Sequence, residues 1–405
     1  MSRTEDLLRE ALASTPVDPN TDVLYGLEAR IKRARRRLAV AGSVAVCVVA
    51  AAIVVPLATL SIGGSKASGV HVTTTPTPLP TPPPTPVRGS DGTATWLPSG
   101  ATQVDVGDDG SGRTGVWALT RGTAPDTGVV VGFDPASGAT THRILVPGPV
   151  DFLSVGLGYV WAYGGGDGGS GSLSVIDRVN PQSGKVDTLR ITGAGGPSSM
   201  AFTAQGAYVT LSAANKVVRV SDVTGPLSQQ QSLAVPGQPE WLTVVDDGTA
   251  WVEEGQAHRW AHLDLSDGQM RVVETQPWSG RLFGRSHDGY VWTSDDSGRV
   301  IELSPGTLTA GVSVSYGNRV STLGPPIDVV DQWGTGGIFV ATADTSGANA
   351  GEGTAISYYS PAAVRIGNSP TAQLAGVVVA SDLVATPDGG VVFVTDAGSV
   401  EHWKP

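Results

Sequence analysis

The stretch "DGYVWTSDDSGRVIEL", residues 288–303, admits two readings, and the choice between them decides the fold. Asp295, Asp296 and Gly298 resemble the opening of a calcium loop, where closely spaced carboxylates converge on a hard cation. The same letters also read as two β-strands joined by a tight turn. A calcium loop needs a Glu at its twelfth position, and counting from Asp295 that position is Gly306. Asp, Ser and Gly close turns for backbone reasons alone. The turn is the better reading.

The rest of the chain repeats that pattern. Small or apolar residues surround one bulky side chain in "GVWAL" at 115, "GYVWA" at 158, "AYVTL" at 207, "TAWVE" at 249, "GYVWT" at 289, "GIFVA" at 337 and "VVFVT" at 391. With Trp117, Trp161, Val209, Trp251, Trp292, Phe339 and Phe393 as equivalents, the spacings are 44, 48, 42, 41, 47 and 54. Turn-like pieces follow most of these strands, among them "DPASG" at 134, "NPQSG" at 180, "DLSDG" at 264 and "SPAAV" at 360. Asp-Gly pairs precede several of them. Periods of this length, holding four short strands each, indicate the blades of a β-propeller. The bulky residues then fill the wedges between blades.

Gly-x-Val-Trp, a valine-rich strand and Asp-Pro-x-Ser-Gly together resemble the NHL, YVTN and streptogramin-lyase-like propellers over residues 92–405. The resemblance implies an all-β, seven-bladed β-propeller of four-stranded blades. Streptogramin lyases use a His base and a magnesium ion on the propeller face, so the resemblance also implies an enzyme as one alternative. The last repeat supplies only three strands before the chain ends. "TATWLP", residues 93–98, is expected to pair with residues 399–404 and close the last blade without an open edge.

Composition agrees. The chain has 54 Gly and 28 Pro, and only 16% of its residues are charged, which suits a turn-rich all-β protein. A single cysteine, Cys47, excludes an intrachain disulfide and Cys-x-x-Cys zinc sites. Residues 89–405 carry 16 basic and 31 acidic side chains, a net of −15 that repels a phosphate backbone. Nucleic acid is therefore excluded as a partner, and no cofactor is implied.

Three segments precede the repeats. Residues 38–60, "LAVAGSVAVCVVAAAIVVPLATL", run 23 residues without a charge. At 1.5 Å rise they reach roughly 34 Å, enough for a hydrocarbon core of about 30 Å. "RIKRARRR" at 30–37 has no counterpart beyond the run, so the positive-inside rule places residues 1–37 in the cytoplasm and the rest outside. A cleaved signal peptide is the rival reading, but the leading region and the apolar core are both too long for one. Leu7, Leu8 and Leu12 predict a short helix within the cytoplasmic segment. Residues 61–91 form a Thr/Pro-rich linker, and "HVTTTPTPLPTPPPTPVR" at 71–88 favours extended polyproline II over packed structure. This layout resembles membrane-anchored actinobacterial proteins, some of them anti-sigma regulators, although the cytoplasmic piece lacks the Cys and His of the zinc-binding kind.

Registering the first strand of each repeat places Gln103, Asp151, Ser199, Glu240, Arg281, Asp328 and Asp382 at one level, the mouth of a central channel. Gln103 fits that register loosely. Four carboxylates and an arginine around a channel can hold a cation or basic ligand; equally, a water-filled channel needs polar walls. "WVEEGQAHRW", residues 251–260, adds Glu253, Glu254 and His258 on the same rim. Residues 164–169 are Gly-rich, but no Lys-Ser/Thr follows, so they form no phosphate cradle. No metal site and no catalytic set emerges. The sequence therefore predicts a membrane-anchored binding or sensor module whose face takes a protein or small-molecule ligand. The alternatives are a lyase-like enzyme and a regulator acting through its cytoplasmic N-terminus.

Overall fold

The structure is a computed structural model, in which the chain divides into Met1–Ala67 and Ser68–Pro405. It describes residues 87–88, 93–97 and 99–405, apart from 109, 123–126, 166–172, 193–194, 221–224, 247, 267–268, 278–281, 286–290, 295–298, 305–309, 316–322, 333–336, 345–352, 367–369, 378 and 380–382. Residues 1–37, expected in the cytoplasm, the 38–60 run expected to span a membrane and most of the linker lie outside the described residues. Among the described residues no helix is long and apolar enough to cross a membrane.

Two strands, β1 (Val87–Arg88) and β2 (Thr93–Leu97), lead into the repeats. The first sheet is β3 (Ala101–Asp108), β4 (Thr114–Arg121), β5 (Thr127–Phe133) and β6 (Thr140–Pro147). The second is β7 (Phe152–Gly156), β8 (Tyr159–Gly165), β9 (Leu173–Val179) and β10 (Val186–Thr192). The third is β11 (Pro197–Thr203), β12 (Gly206–Leu211), β13 (Lys216–Val220) and β14 (Gln229–Ala234). The fourth is β15 (Pro239–Asp246), β16 (Thr249–Glu254), β17 (Arg259–Asp264) and β18 (Arg271–Pro277). The fifth is β19 (Leu282–Arg285), β20 (Val291–Ser294), β21 (Arg299–Leu303) and β22 (Ala310–Ser315). The sixth is β23 (Leu323–Asp331), β24 (Ile338–Asp344), β25 (Gly353–Tyr359) and β26 (Ala372–Val377). The last is β27 (Val384–Ala385), β28 (Val391–Val394) and β29 (Val400–Trp403), with β2 and β1 added outside.

All pairings are antiparallel meanders. Within the opening stretch Val291–Ser294 and Arg299–Leu303 form β20 and β21 as the strand reading expects, with Val291 opposite Leu303, while residues 295–298 between them lie outside the described residues. Thr93 pairs with Trp403 and Leu97 with Val400, so the "TATWLP" segment joins the chain's last strand as expected. The linker departs from expectation at its end. Val87 and Arg88 pair with Thr95 and Ala94, because the proline run stops at Pro86 and frees these two residues to hydrogen-bond. "SPAAV" also differs: Pro361–Ile366 form a short helix, α1, rather than a plain turn. Ser360 accepts the Ala363 N–H through its hydroxyl, Pro361 suits the first helical position, and Ala363 and Val364 are buried.

Sequence explains why the strands within a sheet differ. Second and third strands are covered on both faces and read as continuous apolar runs, such as "GVWALT" and "GVVVGF". Fourth strands alternate between buried and exposed, as in β6. All seven bulky markers, from Trp117 to Phe393, are exposed by 2% or less. The core is divided into seven apolar clusters, each drawn from two sheets consecutive in the chain. One joins the last sheet to the first, uniting Trp96, Val392 and Val400 with Val104, Val116 and Phe133. The others link sheets one to two, two to three, three to four, four to five, five to six, and six to seven.

Turns carry their own chemistry. Asp134 accepts the Ser137 hydroxyl at 2.7 Å and the Ser137 and Ala136 N–H groups at 2.8 and 3.1 Å. Those bonds, the Ser137 hydroxyl first, hold its carboxyl below the ordinary range. The turn ends at Gly138, whose φ of +68° suits glycine. A Cβ there would also meet the Trp96 ring at 2.4 Å, so this glycine seats the closing strand against the first sheet.

Candidate functional site

Where its first strand begins, the fourth sheet builds a corner that holds Glu240, Glu254 and His258. Pro239, opening β15, lies opposite Glu254, closing β16, which in turn lies opposite Arg259. The incoming loop at 235–238 therefore runs beside the hairpin tip at 255–258. Backbone bonds zip the two together: Gly255 N–H donates to Gln238 O at 3.1 Å and Gln256 N–H to Gly237 O at 3.0 Å. Gln238 and His258 adopt left-handed backbone, with φ of +60° and +48°. Residues other than Gly, Asn and Asp hold that conformation only where the surroundings enforce it.

The third sheet supplies the enforcement. Asn215 accepts the Gln238 N–H at 2.9 Å through its side chain. Ser198 lies 2.9 Å from the hydroxyls of both Thr210 and Ser212, and it donates to Pro239 O at 3.2 Å. Ser212 also donates to Pro239 O, and Thr210 approaches Glu240 O at 3.4 Å. The backbone on either side of Glu240 is thus fixed by its neighbour sheet.

Within this corner the side chains divide into two kinds. Glu254 is 1% exposed and takes the Arg259 Nε–H at 2.5 Å, while Arg259 reaches on to Pro236 O at 3.4 Å. This carboxylate is engaged in the turn. Glu253 is half-buried and held by its neighbours. Glu240 is half-buried, and its carboxylate lies over Gly255, where a Cβ would come within 2.3 Å of Oε1. His258 is exposed at the hairpin tip. Among the described residues neither Glu240 nor His258 has a side-chain hydrogen bond or ion pair, so a carboxylate and an imidazole remain available on one rim.

The remaining first-strand positions have other fates. Ser199 is buried, and its hydroxyl accepts the Leu242 N–H of β15 at 3.2 Å. Asp328 is buried as well. It accepts the Val329 N–H at 2.8 Å and, across the seam to the last sheet, the Leu383 N–H at 2.5 Å. Asp151 is exposed just before β7, its own N–H donating to Tyr163 O at 3.0 Å. Gln103 is half-buried opposite Leu119. Arg281 and Asp382 lie outside the described residues.

One residue of this kind was missed by the sequence reading. Asp105 accepts the Val106 N–H at 2.7 Å and the Val155 N–H of the second sheet at 2.6 Å, the same double role as Asp328. The signal was present: both are Asp-Val pairs inside a first strand. Among the described residues no three His, Cys, Asp or Glu side chains converge to hold a metal ion.

No known protein family matches the sequence, and no curated protein matches it. Solved structures do resemble the fold. The WD40 repeats of RRP9 match with a TM-score of 0.52 at 13% identity, covering 79% of this chain and 98% of that one. A catalytically inactive virginiamycin B lyase of Staphylococcus aureus with quinupristin matches at 0.48 and 12% identity, covering 78% and 97%. The selenomethionine-substituted form of that lyase gives 0.49 and 12%, covering 76% and 97%. The WD40 likeness and the four-stranded antiparallel sheets define a propeller-type, all-β repeat fold. At these identities the likeness extends to the fold alone.

Proposed function

We propose that this chain is a membrane-anchored binding module: a closed seven-bladed propeller, displayed outside the cell, that takes a ligand or protein on the face where first strands begin. Closure is supported by the seven clusters between consecutive sheets, the last joined to the first through Trp96 and Val400. The anchor rests on the uncharged 38–60 run behind "RIKRARRR". Residues 1–37 then face the cytoplasm.

The observation that carries the binding role is the corner of the fourth sheet. Ser199 and Asp328 are engaged in holding one sheet to the next. Glu240 and His258 are not, although the backbone presenting them is tightly fixed. A rigid rim with unengaged polar groups is what a recognition surface requires.

The experiment is a thermal-shift screen of the detergent-solubilised full-length protein against divalent ions, sugars and cell-wall fragments. A compound that raises the melting temperature should lose that effect in the Glu240→Gln/His258→Ala double variant, with the unliganded melting temperature unchanged. A shift that survives the double variant places binding elsewhere.

A further inference from the structure

We propose that Asp177 is a proton-operated lock on the seam between the first and second sheets: the neutral carboxyl is accommodated on the face of β9 turned to the first sheet, and its ionisation loosens that seam. The geometry is unusual for a carboxyl group. Asp177 is fully buried in the middle of β9, between Ala162 of β8 and Thr188 of β10. Alternation along the strand puts it on the face of Val175 and Val179. Val179 belongs to the apolar cluster of Trp117, Leu119, Val130, Ile144 and Val146, all from the first sheet. Oδ1 accepts the Thr188 hydroxyl at 2.6 Å, whereas Oδ2 is buried with no hydrogen-bond partner among the described residues.

The adjacent residue shows how the same strand treats a satisfied charge. Arg178 points to the other face, where it donates to Asp187 at 3.0 Å and to Gly225 O at 2.9 Å. Its guanidinium also lies 4.8 Å from the centre of the Tyr159 ring. Asp187, with Lys185 as a second partner at 2.8 Å, is held below the ordinary carboxylate range: burial opposes this, and the bonds and charges of Lys185 and Arg178 prevail. Asp177 has the Thr188 hydroxyl and the charge of Arg190 but no ion pair among the described residues.

Charged and titratable groups around Asp177 are few. From β10, Arg190 is on the same face and favours ionisation. From β6, the His142 ring packs at a tilt against Trp117, 5.3 Å between centres. By strand alternation Arg121, at the exposed end of β4, and Asp151, exposed before β7, are on the faces turned towards this seam. Burial outweighs the Thr188 hydroxyl and Arg190, and pushes the carboxyl up to about 7. The folded-state value therefore lies above the unfolded one. The stability contributed by the neutral form is fully present below about pH 4 and is lost as pH rises towards about 7.

The test compares full-length wild type with Asp177→Asn, whose amide is neutral at every pH. Between pH 5 and pH 8 the wild type should lose about 5 °C more melting temperature than the variant. Hydrogen exchange, corrected for intrinsic rates, should show β9 and β10 losing protection at pH 8 in wild type only. Parallel pH profiles in the two proteins would overturn the proposal. Should Asp177→Asn fail to fold, Thr188→Val provides the second arm. It removes a donor that favours the ionised form, so the loss of stability should move to higher pH; an unmoved profile also overturns the lock.

Discussion

The last sheet and the fourth sheet share one strand pattern and use their ionisable groups in opposite ways. The last sheet is assembled from the two ends of the described region, β27–β29 and β1–β2. There Asp388 meets the Thr386 hydroxyl at 2.6 Å, His402 at 3.3 Å and Lys404 at 3.6 Å, while Trp96 stacks on His402 at 4.9 Å. Every one of these groups ties the closing strands together. The fourth sheet is continuous in sequence and has ties of its own, Glu254 to Arg259 and Asp264 to Arg271, but among the described residues its rim leaves the side chains of Glu240 and His258 without partners. Where chain connectivity already holds a sheet, polar groups can be left for recognition.

The largest test of that contrast is deletion of residues 90–98. It removes β2, takes buried Trp96 from the cluster joining the last sheet to the first, and exposes β29 as an edge. The melting temperature should fall by more than about 10 °C, or soluble protein should be lost. An unchanged melting temperature would show that the last sheet closes without its N-terminal strand.

Next in size is Asp328→Ala. The buried N–H groups of Val329 and Leu383 lose their acceptor, at a cost on the order of 3 kcal/mol, read as a lower urea midpoint. Asp388→Asn should cost less, about 1 kcal/mol or below, because the group is only partly buried and water screens its contacts. Burial raises the Asp388 carboxyl, but the Thr386 hydroxyl, the His402 and Lys404 charges and the Gly390 N–H outweigh it, and the net shift is downward. Its contribution is present above about pH 4 and is lost as pH falls through the lowered value. The variant should therefore lose stability less steeply in acid, by calorimetry below pH 4. Parallel acid profiles would mean that the Asp388 contacts add nothing to closure.

The repeat made much of this legible. Fully covered second strands must be apolar, so the bulky markers announced themselves at a regular spacing, and the missing strand of the last repeat pointed to residues 93–98. The site was less legible because one sequence position serves two purposes. Ser199, Glu240 and Asp328 align in the sequence at one point of the repeat, yet the markers Val209, Trp251 and Phe339 lie opposite Met200, Thr243 and Val330, one, three and two residues further on, and two of the three accept a backbone N–H from the next sheet while one does not. That depends on how the neighbouring first strand is displaced along the seam, a relation between sheets that no single repeat encodes. Asp105 was overlooked for the same reason. It stands two residues beyond Gln103, where the sheets bring Val155 within reach. Asn215, Ser198, Thr210 and Ser212 carry no recognisable spacing, and only the fold brings them under Pro239.

The smallest expected effect separates the two kinds of residue most cleanly. Glu240→Gln and His258→Ala alter groups without side-chain partners among the described residues, so each should change unfolding free energy by no more than about 0.5 kcal/mol. Glu254→Gln, on the strand next to Glu240 in the same corner, weakens the buried pair with Arg259 and should cost more than either. Urea midpoints of the three variants rank the corner directly. If Glu240→Gln is as costly as Glu254→Gln, then Glu240 supports the sheet as Asp328 does, and the fourth sheet is no different from the last.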